Sequence, residues 1–361
     1  MGMALGVHQD AMGAYAGPFW TTENLIIDAG NDLFYGLLMT GMVQGTNSES
    51  KLLFNRISSV GQVVFSDVAS GMVPTGNPAP AVEFFFAGHD SGGGLHAPLL
   101  MASPTVFSPG VYCYGSSGNN EGISAAPLIG MLSSTDTVLG APDAGLFVAQ
   151  PLAATTMDTC GTLTVPDGGA LEIMRTDVDG SCVWHKGLAV PTAAVEASSF
   201  DLGADGSLTL AVVYSGTIDL GNGPLTSTGS TSLAMGRWTA AGALIWAKSF
   251  GGTGSSFTLG SVDSNVNGIT IVTGGYAGNV SLGGATLPAS NDTFLAVLDA
   301  TGNLRWDKTV TVGSSGALIA ASGPCGLALA TNSTTVNLGA GPLSTVTPPS
   351  PPAIGVATIA F

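Results

Sequence analysis

The chain has 361 residues, of which 9% are charged, and its Asp and Glu residues outnumber its Lys and Arg residues by 24 to 8. The formal net charge of −16 argues against nucleic acids and anionic membrane surfaces as partners, because both repel an acidic protein. An apolar content of 45% excludes extensive disorder, and no apolar run reaches the ~18 residues of a membrane-spanning helix. We therefore expect no membrane insertion.

The N-terminal segment MGMALGVHQD shows no signal peptide, because it lacks a basic region followed by a long apolar one. Further along the chain, short apolar segments rich in β-branched and aromatic residues alternate with Gly, Asn, Asp and Pro; examples are VEFFFAG, LTLAVVYSG, GITIVTGG and FLAVLD. This alternation predicts strands joined by turns, and no helical periodicity persists over three turns. The sequence thus predicts an all-β protein.

A repeat of about 60 residues becomes visible when tryptophans are aligned. The segments GSCVWHKGL, GALIWAKSF and GNLRWDKTV align without gaps, and Trp184, Trp246 and Trp306 are separated by 62 and 60 residues. Stepping back by the same period reaches Phe65, a degenerate copy near position 125, and finally the N-terminus. The copy between about 69 and 135 is the least regular.

Each repeat reads as four antiparallel strands, the last of which carries the aromatic residue, and this is typical of a propeller blade. Fourth strands are predicted near positions 5, 65, 125, 184, 246 and 306. Residues 1–361 therefore predict one domain, a six-bladed β-propeller in which the N-terminal strand completes the C-terminal blade. Such closure leaves no free sheet edge.

Six of the eight basic residues occupy repeat positions, either two residues after the aromatic or nine residues before it: Lys186, Lys248, Lys308, Arg56, Arg175 and Arg237. Because functional sites in repeat proteins usually depart from the repeat, we interpret these residues as part of the scaffold.

The segment GITIVTGGYAGNVSLGGATLPASNDTFLAVLDATGNLRWDK resembles a β-propeller repeat family of bacterial secreted and cell-surface proteins. The resemblance implies a propeller in an extracytoplasmic setting and implies no specific activity. A second segment, LDATGNLRW, resembles the tryptophan-docking repeat of quinone enzymes and their non-enzymatic relatives. Those enzymes carry a vicinal cysteine pair, which this chain lacks.

Asp263, Asn265 and Asn267 precede Gly268 in a D-x-N-x-N-G pattern, the first half of a calcium-binding loop. The Glu expected at loop position twelve is absent, since position 274 is Gly. Carboxylates recur at the same turn of other repeats, between Asp201 and Asp205 and between Asp28 and Asp32. The alternative interpretation is an Asx turn in which these side chains bond their own backbone.

Other candidates for chemistry lie in the irregular copy and among the cysteines. His89, Asp90 and His96 could hold zinc, but a third strong ligand is unidentified, and a loop is the alternative. Cys160 and Cys182 fall within one repeat, which predicts a disulfide there, whereas Cys113 and Cys325 belong to distant repeats and are interpreted as buried thiols.

No pattern of catalytic residues and no certain cofactor emerges, so the sequence predicts a non-catalytic binding or surface-display module, secreted or at the cell surface. The expected partners are proteins or glycans of the cell surface, and a homo-oligomer is compatible with the sequence. One alternative is a structural subunit of an extracellular assembly. Another is a glycan-active enzyme, which would need two carboxylates about 5–10 Å apart.

Overall fold

A computed structural model describes the fold of this protein. It describes residues 19–27, 33–42, 47–57, 62–74, 82–84, 88–89, 95–102, 107–114, 120–125, 137–140, 145–158, 160–177, 181–191, 194–203, 205–265, 267–288, 292–312, 318–323, 326–331, 335–337, 342–344 and 355–360. Side chains are described chiefly between residues 145 and 310.

The described residues form six principal antiparallel sheets in succession, and we number them from the N-terminus. The first contains β1 (Phe19–Ile27), β2 (Leu33–Met42), β3 (Asn47–Ile57) and β4 (Val63–Pro74). The second contains β5 (Val82–Phe84), β6 (Gly88–His89), β7 (Leu95–Ala102), β8 (Phe107–Tyr114) and β9 (Asn120–Ala125). The third contains β10 (Thr137–Gly140), β11 (Leu146–Leu152), β14 (Ala170–Thr176) and β15 (Cys182–Leu188), with the hairpin β12 (Thr156–Asp158) and β13 (Gly161–Leu163) inserted between its middle strands.

The C-terminal half repeats this plan. The fourth sheet contains β16 (Val195–Leu202), β17 (Leu208–Tyr214), β20 (Ser232–Trp238) and β21 (Leu244–Phe250), with the hairpin β18 (Thr217–Asp219) and β19 (Pro224–Thr226) inserted. The fifth contains β22 (Ser256–Ser264), β23 (Thr270–Ala277), β24 (Asp292–Leu298) and β25 (Leu304–Val312). The end of β25 pairs with β28 (Thr335–Asn337), which forms a hairpin with β29 (Pro342–Ser344). The sixth contains β26 (Leu318–Gly323), β27 (Gly326–Thr331) and β30 (Gly355–Ala360).

The sheets are arranged as in a β-propeller, with the first strand of each innermost. The inner strands β10, β16, β22 and β26 contact one another in succession, and β26 also contacts β1 of the first sheet. The first and the sixth sheet therefore contact each other. The predicted all-β propeller is confirmed, and no α-helix occurs among the described residues.

The last sheet has three described strands rather than four. The fourth place was assigned from the sequence to the N-terminal strand, and residues 1–18 lie outside the described part of the chain. The closure of a sixth blade by that strand, and with it the blade count and the single domain over residues 1–361, stays a prediction.

A shared β-bulge shows that five sheets are copies of one unit. In each, the pairing of the third and fourth strands shifts directly after one residue pair: Arg56 with Phe65, Cys113 with Gly122, Arg175 with Trp184, Arg237 with Trp246 and Val297 with Trp306. Bulges of this kind bend and twist a strand, so their common position gives the sheets a common shape. The irregular second copy thus keeps the unit, with Gly122 in place of the aromatic residue.

The aromatic residues join neighbouring sheets. Trp184 of the third sheet lies on Gly242, in the turn between β20 and β21 of the fourth, and its Nε1 donates to the carbonyl oxygen of Ala240 at 2.8 Å. Trp246 of the fourth sheet lies on Gly302 of the fifth in the same way. Both glycines have positive φ, 79° and 74°, in three-residue hairpin loops where an L side chain would be strained.

The cores lie between successive sheets. One cluster joins Leu171 and Ile173 of the third sheet to Leu210 and Val212 of the fourth. The other packs the opposite face of the fourth sheet, including Met235, against the fifth. The fourth sheet is therefore apolar on both faces, which is why its strands contain nearly continuous apolar runs.

The inserted hairpins are additional to the four strands predicted for each repeat. The hairpin of the fourth sheet bridges back to the third through Ala189 and Asp219, and Gly251 forms the corresponding bridge to Ser281 of the fifth. Each bridge joins one sheet to the residue that directly follows the fourth strand of the preceding sheet.

Candidate functional site

The repeated basic residues of the described sheets form structural contacts. Arg237 is buried, and its guanidinium donates to Ser207 Oγ at 2.6 Å and to Asp205 Oδ2 at 3.2 Å. Arg175 donates to Ala240 of the next sheet at 2.8 Å. These contacts agree with the interpretation of the repeated basic residues as scaffold.

The predicted calcium loop forms an Asx turn. The Oδ1 of Asn265 accepts the backbone N–H of Asn267 at 2.9 Å and that of Ile269 at 3.0 Å. Asp263 is a buried residue of β22, and the side chain of Asn267 lies at the exposed tip of the turn. Turn chemistry accounts for the pattern at Asn265, and calcium binding by the three residues stays a prediction.

Asp201 on β16 corresponds to Asp263 on β22, because each pairs with the second residue of the next strand, Thr209 or Ile271. The Oδ2 of Asp201 accepts the backbone N–H of Ser264, from the next sheet, at 2.6 Å. Burial raises the pKa of Asp201 to about 7, against the lowering effect of that hydrogen bond. This carboxyl group links two inner strands and is poised to titrate near neutral pH.

A polar cluster in the third sheet departs from the repeat. The side chain of Glu172, on β14, is fully buried. Its Oε2 accepts the Nε2–H of Gln150 on β11 at 2.6 Å, and its Oε1 lies 3.0 Å from Nδ1 of His185 on β15. The His185 side chain is 20% exposed, so the cluster reaches from the interior towards solvent.

The same positions in the fourth sheet are apolar. Strand pairing places Val212 where the third sheet has Gln150, Ala234 where it has Glu172, and Ala247 where it has His185. All three belong to the apolar core between the third and fourth sheets. In the fifth sheet the corresponding residues are Gly274, Phe294 and Asp307, so this combination occurs once among the sheets whose side chains are described.

This equivalence also tells which face of the third sheet carries the cluster. Leu171 and Ile173, which flank Glu172 on β14, pack against the fourth sheet. Because side chains alternate along a strand, Glu172 lies on the opposite face, the one turned towards the second sheet. The inner strand β10 contacts β6 and β7 of that second sheet.

The hairpin β12–β13 borders the cluster and is held differently from its counterpart. Cys160 at its tip forms a disulfide with Cys182, the first residue of β15, which confirms the pairing predicted from the sequence. Leu163 of β13 packs on Gly187: a Cβ placed there would stand 3.2 Å from both Leu163 methyl carbons. Gly187 is the cross-strand neighbour of Glu172.

Sequence motifs do not reveal this cluster, because His185 lies beside the repeated Trp184 on a predicted strand and no motif joins it to Glu172. The signal lies in the alignment of the repeats: His185 aligns with Ala247 of the next copy, and Glu172 aligns with Ala234. Glu172 could not be joined to Gln150 without the strand register.

His89 and His96, two of the candidate zinc ligands, lie on strands of the second sheet and not among the strands that carry the cluster. His96, on β7, pairs with Cys113 of the second sheet. Phe147, on β11, holds the position of His96 in the third sheet, because its partner Arg175 precedes the bulge as Cys113 does. His89 pairs with Leu95, and Asp90 lies outside the described residues. No group of three His, Cys, Asp or Glu side chains suited to a metal occurs among the side chains that the structure describes.

No protein-family model and no curated protein matches this chain. Solved structures resemble it only distantly. An α-L-arabinanase from Penicillium chrysogenum is 11% identical over 76% of this chain and 92% of its own, with a TM-score of 0.39. A PL25 ulvan lyase is 10% identical over 93% and 77%, with a TM-score of 0.40, and a DUF4221 family member from Bacteroides vulgatus is 12% identical over 96% of both chains, with a TM-score of 0.41. Likenesses this weak carry no argument about activity.

A search of the described residues for helices long and apolar enough to cross a membrane finds none.

Proposed function

We propose that this protein is a non-catalytic binding β-propeller that acts outside the cytoplasm and binds its ligand at the Gln150–Glu172–His185 cluster. The observation that carries the proposal is the fully buried carboxyl group of Glu172 at a position where the neighbouring sheet has Ala234. The expected ligand is uncharged or cationic, a glycan or a protein of the cell surface, because the net charge of −16 repels anions.

Energetics support a functional role for the cluster. Removing a carboxylate from water costs several kcal/mol, which partners in the interior offset only in part. The fourth sheet shows that the same fold packs well with apolar residues at these positions. The third sheet keeps the energetically costly buried carboxyl group and so departs from the repeat. In a repeat protein, a binding site is expected where one copy departs from the pattern.

The disulfide between Cys160 and Cys182 supports the extracytoplasmic setting. Disulfides persist in secreted and surface proteins and are rare in the reducing cytosol. The resemblance of the repeat to bacterial secreted and surface propellers points the same way.

Binding is proposed rather than glycan cleavage because the side chains that the structure describes at the cluster include one carboxyl group, that of Glu172. Hydrolysis of a glycosidic bond requires two carboxyl groups at a fixed separation. The partners of Glu172 described above are the amide of Gln150 and the imidazole of His185. An amide and an imidazole suit hydrogen bonding to a polar ligand.

A thermal melt of the protein with calcium, zinc, EDTA, and neutral and acidic glycans tests the proposal. A ligand at 100 times its Kd stabilises the fold by about 2.7 kcal/mol, which gives a measurable shift in Tm. The shift should be lost in His185→Ala and kept in Lys248→Ala, a control on the outer strand of the next sheet. A shift that survives in His185→Ala would place the ligand elsewhere.

A further inference from the structure

We infer that the hairpin β12–β13 is a strap, held shut by the Cys160–Cys182 disulfide, that controls access to the Glu172–His185 pair. The inference rests on the proposed function, since it concerns how the same site is regulated. Three comparisons within the molecule support it.

The first comparison concerns burial of the two hairpins. In the fourth sheet the hairpin is anchored by Ile218 and Leu220, which are 1% and 0% exposed. In the third sheet's hairpin Thr156 holds the position of Ile218, because each pairs with a leucine of the second hairpin strand, Leu163 or Leu225; Met157, on the other face, is 77% exposed. The strap therefore has a polar residue where the other hairpin has a buried isoleucine, so apolar burial contributes less to fastening the strap.

The second comparison concerns the contact at the start of the outer strand. Leu244 lies beside Gly221 at the hairpin tip in the fourth sheet, and Leu304 lies beside Gly284 in the fifth. Cys182 stands at the same place in the third sheet, where it is bonded to Cys160. A covalent bond thus stands in the third sheet where the fourth and fifth sheets have a van der Waals contact.

The third comparison concerns what the strap covers. Leu163 packs on Gly187, and the corresponding residue Ser249 in the fourth sheet bonds instead to Tyr214, at 2.7 Å. Gly187 and His185 lie on the same face of β15, because they are two residues apart. The strap therefore lies over the face that carries the Glu172–His185 pair.

Opening requires reduction of the disulfide by an external dithiol. Two electrons and two protons pass from the two thiols of the reductant to the disulfide, which yields free thiols at Cys160 and Cys182 and a disulfide in the reductant. Both cysteines are partly exposed, so a small dithiol can reach them. Without the bond, the strap is expected to open locally at a lower free-energy cost.

The test is the rate at which diethyl pyrocarbonate modifies His185, followed by peptide mass spectrometry, in oxidised protein, dithiothreitol-reduced protein and a Cys160→Ser/Cys182→Ser variant. We expect modification to be about tenfold faster in the last two, together with faster amide exchange in residues 156–163. The hairpin of residues 217–226, which contains no cysteine, is the internal control and should exchange at an unchanged rate.

Equal His185 reactivity in the oxidised and reduced forms would overturn the inference. If the double variant fails to fold, Leu163→Ala in the oxidised protein supplies the same test, since it loosens the strap without touching the cysteines. The readout needs no ligand, so failure of the strap is distinguishable from failure of the binding site, which the melt with His185→Ala reports.

Discussion

Trp184 of the third sheet rests on Gly242 of the fourth, so closely that a Cβ on Gly242 would stand 2.7 Å from the indole Cδ2. The contact explains two features of the repeat at once: the aromatic residue is retained because it joins sheets, and the glycine of the turn is retained because only glycine fits beneath the ring. Trp246 and Gly302 repeat the arrangement one sheet further on.

Gly242→Ala should therefore destabilise the protein by more than the cost of backbone strain alone. Placing Ala at a φ of 79° costs about 1–2 kcal/mol, and displacement of the Trp184 ring adds to it. Gly216→Ala is the matched control, because Gly216 has a φ of 73° and a Cβ there meets nothing within 4 Å. The free energy of unfolding measured by chemical denaturation should be clearly lower for Gly242→Ala than for Gly216→Ala. Equal losses of stability in the two variants would contradict the docking role of Trp184.

The pH dependence of stability should carry the signature of Asp201. Its pKa is raised from 3.8 to about 7 in the folded state, so folding favours the protonated form. The stability that it contributes is fully present below pH 4 and is lost as the pH rises through 7. The loss is expected to be of the order of 2–4 kcal/mol at most.

Asp201→Asn keeps an oxygen that can accept the Ser264 N–H and removes the titration. Free energies of unfolding measured by urea denaturation from pH 4 to pH 8 should fall in the wild type relative to this variant. Parallel pH profiles for the two proteins would show that Asp201 has an ordinary pKa.

Asn265→Ala should destabilise the turn between β22 and β23 by about 1–3 kcal/mol, since two backbone N–H groups lose their acceptor. Because the Oδ1 of Asn265 is engaged in this way, we expect the turn to form without calcium. A calcium-dependent rise that EDTA reverses and Asn265→Ala abolishes would instead establish the site predicted at Asp263, Asn265 and Asn267.

The repeat could be predicted from the sequence because its strongest signals are local. Tryptophans 62 and 60 residues apart, with glycine turns before them, place the fourth strands at Trp184, Trp246 and Trp306. The second copy was harder to place because Gly122 has replaced the aromatic residue there, and only the bulge after Cys113 identifies the position.

The candidate site could not be predicted in the same way. Gln150, Glu172 and His185 are spread over 36 residues and meet only through the register of β11, β14 and β15. The disulfide was within reach, because both cysteines fall in one repeat. The hairpin that the disulfide fastens could not be predicted, since each of its strands is three residues long and lacks a clear apolar alternation.

The most direct test of the central claim is thermal denaturation of a triple variant, Gln150→Met, Glu172→Met and His185→Phe, with and without the ligand that stabilises the wild type. A cluster retained for binding should be replaceable by apolar residues of similar volume with a change in stability between about zero and a gain of 4 kcal/mol. We predict a Tm equal to or above that of the wild type and complete loss of the ligand-induced shift. A triple variant that still shows the full shift, or a wild type that no ligand stabilises, would contradict the account.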